Sequence, residues 1–116
     1  MTKRYKEIVA EISGSLAKFR KEMPDVMQGF NQLAQAAGKE GALDTKTKEL
    51  IALAIGISQH CDGCIGFHVK NLIKAGVTRE EFMEMLGMSV YMGGGPSLMY
   101  AANALSAFEE FNAPSS

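Results

Sequence analysis

ELIALAIGISQHCDGCIGFH, running from Glu49 to His68, holds both cysteines and both histidines of a 116-residue chain. From Leu50 to Ile57 every residue is apolar or small, so the segment reads as a helix apolar nearly all round, the central and buried helix of its fold. Asp44 is a good N-cap for it, since a carboxylate there accepts from the free amides of the first turn, and the helix is predicted over about 45–58. Ser58 to Cys64 carries the break. A fourth helix begins around Asp62, with Phe67, Leu72 and Ile73 apolar, and Gly76 ends it in a left-handed cap. Cys61 and Cys64 thus fall at a helix N-terminus, with His68 one turn after Cys64 on the same face.

Toward the N-terminus, Tyr5, Ile8, Val9, Ile12, Leu16 and Phe19 recur at helical spacing among Lys, Glu and Arg, which predicts an amphipathic first helix over about 3–21. This helix is expected to dock on the body or on a neighbouring subunit. Pro24 suits the first position of a second helix over about 24–37, carrying Val26, Met27, Phe30, Leu33 and Ala34 and closed by Gly38. Toward the C-terminus, Thr78 and Glu81 have the capping-box spacing and open a fifth helix to about 92. Gly93, Gly94 and Gly95 stop it, Pro96 starts a sixth helix to about 111, and Ala113 to Ser116 read as a frayed tail.

The whole is all-α, about six helices in a single domain over 1–116, with 1–21 its docking helix. Hydrophobic residues are 47% and aromatics 8%, with eight Met and no Trp, a composition that suits helices and an aliphatic core. Met83, Met85, Met88, Met92 and Met99 read as core or subunit-interface residues, the other reading being an apolar substrate channel. The formal net charge is −1, with no basic stripe, so nucleic acid is not an indicated partner. The N-terminus runs into an amphipathic pattern and not into an apolar signal core, no apolar run approaches about 18 residues, and a cytoplasmic location is expected. A lone CxxC in that reducing compartment is a redox or metal motif more often than a static staple. An amphipathic first helix and a long apolar third argue for a homo-oligomer.

A thiol is a nucleophile only as thiolate, with an ordinary pKa of about 8.5, so something must favour the anion. The unpaired amides and positive dipole end of a helix N-terminus do that, and His68 is placed to take a proton from Cys64. Glu49 admits two readings: partner to His68, orienting the base, or a solvent-facing carboxylate in the first turn of its helix. The cysteines have rivals too, as buried inert thiols or, with His68, three ligands of a zinc site that usually needs four. His60 is either a second proton acceptor or a solvated residue at a helix end, and nothing in the sequence places Tyr91 or Tyr100 near the thiols.

Glu49, eleven residues, Cys61, two residues, Cys64, three residues and His68 resemble the active-site signature of the alkylhydroperoxidase D family, within the carboxymuconolactone decarboxylase-like superfamily. The Gly76 to Phe82 segment and the glycine-rich turn before the last helix are similar to it as well, so the likeness covers about residues 44–108. It implies an all-α fold assembling into trimers or hexamers, and a peroxidase or disulfide reductase working without flavin or haem. Carried over by position, Cys64 attacks the peroxide, Cys61 is the resolving thiol, and His68 with Glu49 forms the proton relay. The family pattern often has a histidine between its cysteines, where this chain has Gly63. The decarboxylase branch lacks the CxxC.

The expected function is therefore an antioxidant thiol peroxidase or disulfide oxidoreductase. Its substrate is a small hydroperoxide, and a lipoyl or thioredoxin-like dithiol resets the Cys61 to Cys64 pair. A non-enzymatic redox-responsive oligomeric module, a zinc-binding protein and, more weakly, a lactone decarboxylase are the alternatives.

Overall fold

The structure, a computed structural model, describes residues 2–113. They form six helices and, among the described residues, no strand: α1 (Tyr5–Glu22), α2 (Pro24–Gly38), α3 (Thr45–Ser58), α4 (Asp62–Lys74), α5 (Arg79–Gly93) and α6 (Gly95–Asn112). The fold is all-α, as its composition implies. The tail expected at 114–116 lies outside the described residues.

Local chemistry sets the helix ends. Asp44 Oδ1 accepts the Thr47 amide at 2.8 Å and starts α3. The capping box at α5 is complete, with the Thr78 amide donating to Glu81 Oε1 at 2.8 Å and the Glu81 amide donating to Thr78 Oγ1 at 3.1 Å. Pro24 and Pro96 stand in the first turns of α2 and α6, where a missing amide hydrogen forfeits no helical bond. Gly76 has φ 81°, and the amides of Gly76 and Val77 turn back to the carbonyls of Ile73 and Leu72 to close α4.

Helix α4 is the hub, packed against α3, α6 and α1, with α5 lying on α6 and α3. The core is Leu53 and Ile57 of α3, Ile65, Val69 and Leu72 of α4, Phe82, Met85 and Leu86 of α5, and an alanine ridge of α6 with Phe108. Phe82 and Phe108 stack with ring centroids 4.4 Å apart. Tyr5 of α1 is fully buried against this core. Helix α1 comes close because α4 offers it two glycines one turn apart. A Cβ on Gly66 would stand 2.6 Å from Val9 Cγ2, and one on Gly63 would stand 2.8 Å from Ile12 Cδ1.

Two helices differ from expectation. α3 is buried on one side only: Leu53, Gly56 and Ile57 are covered, whereas Ile51 and Ile55 are 46% and 52% exposed. A helix apolar all round needs cover all round, and in one chain only α4, α5 and α6 supply it substantially. α2 is amphipathic, yet it has no buried residue, and Val26, Phe30 and Leu33 face outward. Of the methionines read as core or interface, Met85 is buried while Met83, Met88, Met92 and Met99 lie on the surface. Among the described residues no helix is long and apolar enough to cross a membrane.

Candidate active site

Glu49 is the fifth residue of α3, so the Asp44 cap fixes where on the helix it projects. Its neighbours on the same turn tie α3 down on both sides. Lys46 pairs with Glu81 of α5 at 2.8 Å, and Lys48 Nζ donates to the carbonyls of Ala37 and Lys39 at the end of α2. Glu49 meets α4. Its Oε2 lies 2.6 Å from His68 Nδ1, and its Oε1 is 3.5 Å from the Asn71 amide nitrogen. A carboxylate at Nδ1 holds the ring hydrogen on that nitrogen and leaves Nε2 as the proton acceptor. Of the two readings of Glu49, the geometry has it against His68.

Cys61 is the N-cap of α4, in an extended conformation at φ −101° and ψ 98°. Its Sγ accepts from the Cys64 amide at 3.1 Å, and its carbonyl accepts the Ile65 amide at 2.9 Å. The two cysteines form a disulfide across this first turn, their Cα atoms 5.2 Å apart. Both residues are partly exposed. Gly56 of α3 makes room for them, since a Cβ there would stand 2.9 Å from Cys64 Cβ. On the Glu49 and His68 side, a cavity of about 370 Å³ opens between α2, α3 and α4, lined by Ala34, Gly38, Lys48, Glu49, His68 and Asn71.

Cys61, Cys64, His68 and Glu49 are thus gathered where α3 meets the first two turns of α4. The arrangement can cycle a dithiol and a disulfide at a helix N-terminus, with an oriented imidazole one turn away. Among the described residues no three of His, Cys, Asp and Glu converge on a point that would hold a metal ion.

Several contacts around the pair were not legible in the sequence. His60, at φ 57°, closes the end of α3 in the left-handed region and lays its ring on Tyr100 of α6, centroids 4.5 Å apart and planes 9° off parallel. Tyr100 therefore does come to the neighbourhood of Cys61, whereas Tyr91 is 77% exposed. The Tyr5 hydroxyl donates to Asp62 Oδ1 at 2.9 Å, and Lys3 Nζ pairs with the same carboxylate at 2.9 Å. Burial, then the Asp62 hydrogen bond, raises the Tyr5 pKa far above the ordinary phenol value, so its proton stays on the oxygen. No local spacing announces contacts that span 57 and 59 residues.

Residues 24–107 match the carboxymuconolactone decarboxylase family. An uncharacterised protein of Cupriavidus necator is 36% identical over 113 residues, covering 97% of this chain and 100% of the relative. Uncharacterised protein 4 of the cox locus of Paracoccus denitrificans is 31% identical over 86% of this chain and 90% of its own. Among solved structures, a carboxymuconolactone decarboxylase family protein of Legionella pneumophila is similar at TM-score 0.93 and 63% identity, over 94% of this chain and 97% of that one. Another from Thermotoga maritima, with a suggested part in the antioxidative response, reaches TM-score 0.79 at 28% identity, over 88% of this chain and 87% of that one.

Proposed function

The chain belongs to the carboxymuconolactone decarboxylase family, and from that membership and the Cys61 to Cys64 pair we propose an alkylhydroperoxidase-like oxidoreductase that reduces small hydroperoxides with a dithiol. The observation that carries the reading is the pair itself, at the start of α4 with His68 one turn on and Glu49 2.6 Å from that ring.

In the reduced protein, His68 Nε2 takes the Cys64 proton and the thiolate attacks the terminal peroxide oxygen. The O–O bond breaks, Cys64 becomes a sulfenic acid, and the leaving alkoxide recovers the proton from His68 to depart as alcohol. Cys61 then attacks the Cys64 sulfur, and hydroxide leaves with the Cys61 proton as water. The sum is one peroxide and two thiols converted to one alcohol, one water and one disulfide. Two exchanges with an external dithiol, lipoyl or thioredoxin-like, reset the pair. Glu49 orients the imidazole through its contact with Nδ1. The reducing cytoplasm suits this cycle. The solved Thermotoga relative points the same way.

The outward apolar residues of α2, α3 and α5, among them Phe30, Leu33, Ile55 and Met88, support assembly into a homo-oligomer, a trimer or hexamer. Light scattering at micromolar concentration tests that directly, and a monomeric mass would remove it.

Mass spectrometry of the reduced, folded protein after one equivalent of hydroperoxide tests the chemistry. A Cys61 to Cys64 disulfide formed within the turnover time, followed by catalytic consumption with a dithiol reductant, is expected. No disulfide would sink the proposal. Slow oxidation without turnover but with a change of assembly size would replace it by a redox-responsive structural module.

A further inference from the structure

The peroxidase reading uses only the side of the dithiol that faces α3. On its other side the N-terminal segment grips Asp62, one of the two residues between the cysteines. Lys3 Nζ donates to both oxygens of Asp62, at 3.0 and 2.9 Å, and the buried Tyr5 hydroxyl donates to Oδ1 at 2.9 Å. The Lys3 ammonium also lies 5.0 Å from the centre of the Tyr100 ring, which stacks on His60. The segment is anchored in turn to α6, with the Tyr5 and Lys6 amides donating to the Glu110 carboxylate at 2.8 and 3.0 Å. The titratable and charged groups on this side of Cys61 include Lys3 and Tyr5 from the N-terminal segment, Asp62 from α4, Tyr100 and Glu110 from α6, and His60 from the connecting turn.

Asp62 is an unusual neighbour for a reactive thiol. It follows Cys61 directly and occupies the first position of α4, and a carboxylate so close disfavours a thiolate. An ammonium on that carboxylate offsets the penalty. We propose that Lys3 and Asp62 form a charge pair that sets the acidity and redox poise of the Cys61 to Cys64 dithiol. Both are positioning residues, and the N-terminal segment delivers the cation. The inference rests on the pair cycling between dithiol and disulfide, as argued above. Removing the cation leaves the Asp62 charge with the Tyr5 hydrogen bond but no ammonium to offset it, which destabilises the thiolate of the reduced form and makes the disulfide harder to reduce. Removing the carboxylate does the reverse. Lys3 and Asp62 side chains are 34% and 32% exposed, so solvent screens the interaction and the effect on thiolate population is about three- to tenfold.

The test uses the full chain as wild type, Lys3→Met, Asp62→Asn and the double variant. Two quantities are read. One is the pH profile of thiol alkylation by iodoacetamide. The other is the equilibrium in glutathione buffers, in which one protein disulfide and two glutathione thiols give two protein thiols and one glutathione disulfide. Lys3→Met should move the alkylation profile to higher pH, with about three- to tenfold slower reaction at pH values below the thiol pKa, and shift the equilibrium toward disulfide by a similar factor at pH values above it. Asp62→Asn, which keeps an acceptor for Tyr5, should shift both the other way, and the double variant should return toward wild type. Coincident profiles would overturn the inference. So would shifts of one sign in both single variants, which would report lost packing and not charge. A wild-type pair that never exchanges with glutathione would overturn the dithiol reading and this one together, whereas exchange without separation of the variants overturns this one alone.

Discussion

Replacing Gly56 with alanine puts a methyl group where α3 and α4 leave no room. The added Cβ would stand 2.9 Å from Cys64 Cβ, against about 3.5–4.0 Å for an ordinary carbon–carbon contact. A Cβ is fixed to the backbone, so no rotamer change relieves the clash and the helices must part by about 0.6–1.1 Å. Alanine gains about 1 kcal/mol of helix propensity, and overpacking costs about 1–3 kcal/mol, which leaves a net loss of about 0–2 kcal/mol. The chemistry should suffer more. α4 carries Cys64 and His68 together, so the shift draws both away from Glu49 and stretches the 2.6 Å contact toward about 3.2–3.7 Å. A misplacement of that size costs about ten- to a hundredfold in rate. The assays are urea unfolding followed by circular dichroism with the disulfide intact, and the rate of disulfide closure after one equivalent of hydroperoxide. Gly14→Ala in α1 is the control, because no described atom lies within 4 Å of its would-be Cβ, and it should gain about 0.5–1 kcal/mol. If Gly56→Ala were stabilised as much as Gly14→Ala and closed its disulfide at the wild-type rate, the reasoning would be refuted.

Glu49→Gln keeps an acceptor for His68 Nδ1 but removes the charge. Steady-state hydroperoxide consumption should fall about ten- to a hundredfold with little change in unfolding midpoint. Asp44 and Glu81 have pKa values held below the ordinary carboxylate range, Asp44 chiefly by the Thr47 hydrogen bond and Glu81 chiefly by Lys46. Depressed folded-state values contribute stability above the unfolded pKa that is lost as the pH falls, here through about 4.5 and below. Thermal unfolding across that range should show the loss, and an Asp44→Asn, Glu81→Gln variant should show less of it. His60→Gly relieves a left-handed φ of 57° at a cost otherwise of about 1–2 kcal/mol, but forfeits the Tyr100 stack worth about 0.5–1.5 kcal/mol. Its unfolding midpoint should therefore stay close to wild type, and a large loss would mean that the ring contact dominates.

What could be read from the sequence was whatever is local along the chain. Asp44, Thr78 with Glu81, Pro24, Pro96 and Gly76 each act on their own backbone within a few residues, and they bound the helices to within a residue or two. Cys61, Cys64 and His68 share one helix face for the same reason. Periodicity alone left Glu49 open, because a first-turn carboxylate is at home in solvent; only the crossing of α3 over α4 brings it to His68. The grip of Lys3 and Tyr5 on Asp62 had no such signal. It depends on α1 settling over Gly63 and Gly66, two positions whose missing side chains suggest nothing until the helix that fills the space is known. The half-exposed α3 shows the opposite limit, since an apolar run says that a surface seeks cover but not whether one chain provides it.

Helix α2 has no buried residue, yet Ala34 and Gly38 form part of the cavity wall beside His68. In a lone chain, little apolar burial holds it beyond its own hydrogen bonds and the Lys48 contacts to its last turn. Its amides should therefore exchange with deuterium through a local opening far less costly than global unfolding. The cavity thus has walls of unequal persistence, two built into the core and one that can detach alone. How often a molecule reaches His68 from that side is then set by a sub-global equilibrium of one helix, which any surface that covers α2 would slow.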